Sequence, residues 1–224
     1  MTINQIIYNL RKLIRDSGSD DLKFSDRQLE FMFNYVRAKY LKQEIDKGKS
    51  ISDNVKQDLG VVRLTRVDVS ESSTAPTSRL ILRTENKIPK VLELNHSDAI
   101  TYVGGVDKLS PFQFSTKAKV NWQAHSRFGP KNKQAYLREG YIYLTGCDKS
   151  TKYINIEGVF EDPRQVKNFK SATGQACYNP DVDEYPISGY AIDTINKIII
   201  KEELNAYFQL REDNINDASS EIKK

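Results

Sequence analysis

Three carboxylates stand close together at Asp181, Asp183 and Glu184, and oxygen donors at that spacing suit a hard divalent cation. The segment lacks the central glycine and the distal bidentate glutamate of a calcium loop, and it runs directly into Tyr185-Pro186, so it reads as a solvated acidic loop. The two histidines, His96 and His125, lie in loop-like sequence (Asn95-His96-Ser97 and Ala124-His125-Ser126) and read as structural. Cys147 and Cys177 lack the C-x-x-C spacing of a zinc site and are expected to be reduced and partly buried. No glycine-rich phosphate loop, Gly-x-Ser-x-Gly elbow or His-Glu-x-x-His helix occurs. The expectation is a protein with no catalytic residue, no cofactor and no metal. Only the acidic cluster supports the rival reading, a metal-dependent enzyme.

Charge offers a second kind of chemistry. The formal net charge of +4 is mild, but between Asp107 and Glu139 there is no acidic residue. That stretch holds Lys108, Lys117, Lys119, Arg127, Lys131, Lys133 and Arg138, interleaved with Phe112, Phe114, Trp122, Phe128 and Tyr136. Cations grip phosphates, and aromatic rings stack on bases, so such a mixture can serve nucleic acid. The same alternation also arises when strands turn their aromatics inward and their lysines to water, and that reading is preferred. Arg127, Lys131 and Lys133 remain the candidates for meeting DNA phosphates or an acidic partner.

The elements that must position these groups are helices at the two ends of the chain and strands between them. Ile3, Ile6, Ile7, Leu10, Leu13 and Ile14 follow helical spacing, with Thr2 and Gln5 placed as a capping box and Ser17-Gly18-Ser19-Asp20 as the stop. Ser25 and Gln28 form a second capping box, with Phe24 and Leu29 as its hydrophobic staple. Leu29, Met32, Tyr35, Val36 and Tyr40 continue that helix to Lys47-Gly48-Lys49, and Arg37, Lys39 and Lys42 suit its negative end. A short helix from Ser52 to Leu59 is expected to stop at Gly60. Strands are expected over 61–67, 80–84, 100–103, 117–122, 135–138, 141–144 and 153–159, with a flexible loop over 70–77. Asp162-Pro163 then opens a brief helix as cap and first residue.

The last long helix runs from Ile187 to Leu210, with Tyr190, Ile192, Ile195, Ile199, Leu204, Tyr207 and Phe208 on its stripe and Ile198 and Ile200 widening it. A helix apolar over so much of its circumference wants neighbours on more than one side, from its own chain or from another subunit. The tail from Arg211 to Lys224 is polar, and Asp213, Asn214, Asn216, Asp217, Ser219 and Ser220 favour no helix. The fold class expected is α+β. An N-terminal helical hairpin and a long C-terminal helix frame a β-rich insertion, barrel- or sandwich-like. The divisions are 1–60 helical, 61–160 β-rich, 161–210 helical and 211–224 tail. Hydrophobic content of 38% with 29% charged residues suits a soluble globular chain. No apolar run approaches the roughly 20 residues of a membrane span. The start lacks a basic and apolar leader, so a cytoplasmic location, or a structure assembled there, is expected.

Several stretches resemble phage head-to-tail connector proteins, the ring or adaptor proteins of crAss-like and other short-tailed bacteriophages. They are Phe24-Ser25-Asp26-Arg27-Gln28-Leu29-Glu30, Gln57-Asp58-Leu59-Gly60, Arg83-Thr84-Glu85-Asn86-Lys87-Ile88-Pro89 and Ile100-Thr101-Tyr102-Val103-Gly104-Gly105. Ala135 to Tyr143, Glu161-Asp162-Pro163, Glu184-Tyr185-Pro186-Ile187, Lys201-Glu202-Glu203-Leu204 and Asn216-Asp217 extend the likeness along nearly the whole chain. The resemblance implies a virion structural protein, assembled in the cytoplasm of the bacterial host and forming a homo-oligomeric ring, commonly twelvefold. It would sit beneath the portal, extend the DNA channel and dock neighbouring tail proteins, with DNA passing without sequence-specific contact and no membrane involved. Candidate subunit-interface residues are then Tyr190, Ile199, Tyr207, Phe208, Asp213, Asn216 and Asp217. The alternative is a monomeric nucleic-acid-binding module that uses the basic and aromatic β-rich region.

Overall fold

In the computed structural model, which describes residues 1–16, 24–67, 80–95, 97–120 and 133–204, the chain divides into two units. One comprises residues 1–50 with 180–224, and the other residues 51–179. The class is α+β: helices, together with a curled mixed sheet of eight strands.

The first unit is built by two helices near the start of the chain, the amphipathic α1 (Ile3–Asp16) and α2 (Asp26–Asp46), and a third, α3 (Gly189–Ile198). Local chemistry starts the first two. The Gln5 amide donates to Thr2 Oγ1 at 3.5 Å and the Thr2 amide donates to Gln5 Oε1 at 3.1 Å. At α2 both halves of the Ser25–Gln28 box are made, satisfying donors that a bare helix end leaves orphaned. Beyond α2, Gly48 takes the left-handed conformation, φ +90°.

The core of this unit is shared by all three helices. Ile6 and Leu10 of α1, Leu29, Phe33 and Val36 of α2, and Ile195 of α3 are buried in one cluster with Ile199, Leu204, Tyr185 and Ile187. Two helical assignments need correcting. Tyr35 faces solvent and Phe33 takes its place, because the core side of α2 is centred on Leu29, Phe33 and Val36. Leu13 is 43% exposed, at the flank of the α1 stripe.

Arg37 is fully buried, although its charge reads as surface. Its Nε and Nη2 both donate to the Pro186 carbonyl, at 3.1 and 2.9 Å, and its guanidinium lies 5.4 Å from the centre of the Tyr185 ring. The extended segment before α3 is thereby tied to α2. Tyr185 adds an edge-on contact to Phe33 and donates its hydroxyl to Asn34 Oδ1.

The C-terminal helix begins at Gly189, after a Ser188 cap, rather than at Ile187, which is buried in the preceding segment. At Ile199–Glu203 it becomes a π-helical turn, and the Leu204 amide donates to the Ile199 carbonyl at 3.1 Å. The buried positions Ala191, Ile195, Ile199 and Leu204 are spaced four, four and five. Continued as an α-helix, the stripe after Ile199 would fall on Glu202 and Glu203. One extra residue in the turn instead delivers Leu204 to the core. It leaves Glu202 outside, where its carboxylate meets Lys39 at 2.8 Å. The stretch expected to continue the helix to Leu210 lies outside the described residues from 205 onward.

The second unit holds the sheet. Its strands are β1 (Gln57–Asp58), β2 (Val62–Arg66), β3 (Ile81–Thr84), β4 (Ile100–Gly104), β5 (Gln113–Phe114), β6 (Gln134–Arg138), β7 (Tyr141–Thr145) and β8 (Tyr153–Gly158). Their order is β1-β8-β2-β3-β7-β6-β5, with β4 also on β8. Every pairing is antiparallel except β5 with β6. Alternation drives these strands: Val62 and Leu64, Leu82 and Thr84, and Ile142 and Leu144 face inward and are buried, with exposed or half-buried residues between them.

Two expectations fail here. Residues 52–59 are not a helix but a 3-10 turn, Asp53–Val55, followed by β1, whose pairing with β8 claims Gln57 and Asp58. Residues 117–120 are helical rather than extended, since the Val120 amide donates to Thr116 O at 3.0 Å and the Lys119 amide to Thr116 Oγ1 at 3.5 Å. Capping by a threonine hydroxyl outweighs the alternating pattern there. Residues 121–122 and the loop at 70–77 lie outside the described residues. The brief helix at 163 is present as a 3-10 helix, Pro163–Asn168, capped by Asp162.

Gly60 marks a corner in this unit. It separates β1 from β2, which lie in succession along β8, and its φ is +66°. A Cβ there would fall 2.5 Å from Lys170 O and 2.6 Å from Cys177 Sγ, so no other residue fits. Asn155 fills the break in pairing, with its Nδ2 donating to both Asp58 Oδ1 (2.7 Å) and Gly60 O (3.0 Å). The Val61 amide donates to Lys170 O at 3.0 Å, and the Cys177 amide to Phe169 O at 2.9 Å.

Candidate functional site

On the helical unit four of the exposed large side chains are aromatic: Tyr8 of α1 (71%), Phe31 (67%) and Tyr35 (56%) of α2, and Tyr190 of α3 (72%). Phe31 and Tyr35 are four residues apart and lie opposite Leu29, Phe33 and Val36, so helical geometry turns both rings outward together. Adjacent exposed aromatic rings are uncommon on a surface that meets only water and are enriched where proteins meet.

The sequence candidates fall in different places. Tyr190 is exposed on the first turn of α3, whereas Ile199 is fully buried within the core of its own unit. Tyr207, Phe208, Asp213, Asn216 and Asp217 lie outside the described residues, as do Arg127 and Lys131. Lys133 is exposed, and its ammonium rests 5.6 Å from the centre of the Phe112 ring. Lys108, from the same acid-free stretch, is occupied internally. Its Nζ lies 2.6 Å from Asp58 Oδ2 and 3.8 Å from Glu157 Oε2, and the hydrogen bond to Asp58 raises its pKa. Tyr136 is buried and stacked on Tyr143 at 5.2 Å. Its register opposite Tyr143 and two residues from Arg138 puts it on the sheet face away from Leu144, so it is buried without turning toward the core as the inward-aromatic reading expects.

The acidic cluster is engaged in packing the chain. Asp181 Oδ1 accepts from Asn4 Nδ2 at 3.2 Å, and Glu184 Oε1 lies 3.4 Å from the Met1 ammonium. Among the described residues no group of His, Cys, Asp and Glu is arranged to hold a metal. His96 and His125 lie outside the described residues. Both thiols have their pKa raised, chiefly by burial. Cys147 is buried, and Cys177 is pushed up to about 11 against an ordinary value near 9. At neutral pH both are protonated and poor nucleophiles. An open hollow of about 440 Å³ lies beside Asn86, Lys87, Pro89, Gln165, Asn168 and Phe169. No described helix is long and apolar enough to cross a membrane.

Sequence reasoning missed Phe31 and Arg37. The signal for Phe31 is its phase, two residues from Leu29 and Phe33 and therefore on the far side of α2. For Arg37 only its partner, 149 residues away, gives it meaning.

A surface with outward aromatic rings suits a component of an assembly. Residues 5–222 match the family model described as phage tail ring protein 2, and the chain belongs to that family, among the ring proteins of crAss-like phages. The family is one of virion structural proteins rather than of enzymes, and its members act as rings in the phage tail. No curated protein matches the chain.

Proposed function

We propose that the chain forms a closed ring, twelvefold, in the head-to-tail connector beneath the portal, where it extends the DNA channel and docks the next tail protein. The observation that carries the subunit contact is the outward pair Phe31 and Tyr35 on α2. A ring closes by rotation, so each copy presents two different complementary surfaces. The helical unit supplies one of them through Phe31, Tyr35 and Tyr190. Tyr207, Phe208, Asp213, Asn216 and Asp217 extend that contact along the C-terminal segment, while Ile199 supports it from within by holding α3 to the core. DNA passes through the channel without sequence-specific contact, and Arg127, Lys131 and Lys133 meet an acidic partner protein.

The test is to mix the purified chain with portal rings of its own virus and image the particles by negative-stain electron microscopy. An added ring-shaped layer is expected. The double substitution Phe31→Ser with Tyr35→Ser should abolish it while leaving the melting temperature unchanged, since neither side chain is in the core. A folded wild-type chain that adds no layer would remove direct docking to the portal. An unimpaired double variant would remove the α2 contact.

A further inference from the structure

The turn between β4 and β5 holds two apolar side chains out in water. Val106 is 41% exposed and Leu109 82%, the highest value for a large apolar residue among the described residues. A lone exposed leucine is ordinary, but this one is carried by a strained and firmly bonded turn. Lys108 has a left-handed φ of +57°, a conformation that side chains disfavour and that clusters where proteins bind or react. The Gly105 amide donates to Ser110 O at 3.1 Å, and the Lys108 amide donates to Gly105 O at 3.0 Å. The Tyr102 hydroxyl donates to the same Gly105 carbonyl at 3.1 Å, and the Leu109 amide donates to Asp107 Oδ1 at 3.1 Å. Asp58 and Glu157 draw the Lys108 ammonium onto the sheet, and Leu109 beside it is left in water. The turn is preorganised to present an apolar tip.

The hollow beside the 3-10 helix Pro163–Asn168 has the complementary form. It measures about 440 Å³ and is open to solvent, which suits a protruding turn better than an enclosed small molecule. Ile88, Pro89 and Phe169 give it apolar walls, and the Asn86 and Asn168 amides and Lys87 also line it. Side-chain amides both donate and accept, as the main chain of an incoming turn requires. The tip and the hollow lie on opposite faces of the β unit. In β1, Asp58 turns its carboxylate to Lys108, whereas Gln57 donates its amide to Pro163 O at 3.3 Å. Successive strand residues point to opposite faces, so the turn stands on one face of the β1–β8 pair and the 3-10 helix on the other. Held by its own bonds, the turn cannot seat Leu109 in the hollow of its own chain.

We propose that Val106 and Leu109 of one copy enter the hollow of a second copy, with Asp107 set against Lys87 there. A protruding tip and a matching hollow on opposed faces of one chain are what a head-to-tail contact between identical subunits needs. Charge favours the same pairing, since the exposed Asp107 precedes Leu109 by two residues and the exposed Lys87 lines the hollow. The proposal rests on the ring reading, in which copies stand side by side. It gives the β unit a complementary pair of surfaces in addition to the contact of the helical unit.

The test mixes two full-length variants that can make only one such contact. The acceptor carries Leu109→Asp, keeps its hollow and is labelled with ¹⁵N. The donor carries Lys87→Glu with Asn168→Glu, keeps its turn and is unlabelled. Added donor should shift the acceptor amides of Ile88, Asn168 and Phe169 in a saturable way. Leu109→Asp introduced into the donor as well should weaken that binding at least about tenfold. Amides that stay still would overturn the proposal. Shifts indifferent to the donor's Leu109 would do the same, and would assign the hollow to another segment or partner. Leu109, Lys87 and Asn168 are exposed, so the variants should melt as the wild type does. A markedly lower melting temperature for Leu109→Asp would show that this leucine packs within its own chain, which also overturns the proposal. The mixture is read without any ring. Wild-type rings that form while these amides stay still would sink this contact alone, and the contact without an added layer on the portal would sink the ring reading alone.

Discussion

Deleting Lys201 should leave the helical unit about as stable as it is, although a one-residue deletion inside a packed helix is ordinarily ruinous. A deletion turns everything beyond it by about 100°, which takes one whole stripe out of register with the core. At the π turn the effect is reversed. Ile199 and Leu204 are five residues apart and both fully buried, so removing the exposed Lys201 sets them four apart, which is α-helical spacing. Leu204 keeps its place, and the wide turn becomes a regular one. The loss is the surface pair of Glu202 with Lys39, worth under about 1 kcal/mol. The control is deletion of Thr194, which is equally exposed but lies inside regular α-helix. That change rotates Ile195, Ile199 and Leu204 against the rest of the unit. At roughly 1.5–3 kcal/mol for each buried aliphatic side chain, it should cost about 5 kcal/mol or more. Urea unfolding followed at 222 nm, where the helices dominate, separates the two. A Lys201 deletion as damaging as the Thr194 deletion would show that the extra residue is required by the packing, and the reasoning would fail.

Further expectations concern single groups. Gly60→Ala places a methyl group against Lys170 O and Cys177 Sγ at a left-handed φ, and should cost about 3 kcal/mol in denaturant unfolding of the β unit. Ser25→Ala removes one half of the capping box and should cost about 1 kcal/mol in the same kind of assay on the helical unit. Cys177, with its thiol pushed up to about 11, should react with iodoacetamide at pH 8 about 100-fold more slowly than an ordinary thiol near 9. Because burial favours the protonated form, this group's contribution to stability is complete below the ordinary thiol pKa. It is lost as pH rises from about 9 through 11, visible as a fall in melting temperature that Cys177→Ala reduces.

What the sequence made legible was local. The Ser25–Gln28 box and the Asp162 cap are written within three or four residues, and each forms as expected. The strands at 62–66, 81–84 and 141–145 follow from alternation, because each has one face on the core. Those at 134–138 and 153–158 bury consecutive residues and are marked only by their strand-forming residues. Features set by distant partners stayed hidden. Arg37 looks like a dipole-complementing surface charge until Pro186 is brought to it. Gln57 and Asp58 look helical until β8 pairs with them. The π turn is visible in outline as Ile199 and Leu204 five apart, with two glutamates where the α stripe would run, but its meaning depends on knowing that both are buried. At the candidate site, Tyr190 could be singled out as an aromatic residue on an apolar helix. Phe31 could be found only by phasing α2 correctly, which the misplaced Tyr35 prevented.

The corner at Gly60 has a mechanical meaning. The chain enters the β unit at Ile51 and leaves it at Asn179, and the hairpin around Lys170 and Cys177 is bonded to Val61 and pressed against Gly60. The incoming and outgoing strands are therefore clasped together close to where each crosses the boundary. A pull applied along the chain at these two crossings is carried first by the clasp, across the Val61–Lys170 hydrogen bond and the Gly60 contact, and the strands behind it are not sheared apart. Such a unit can stay folded while the chain that carries it bears tension.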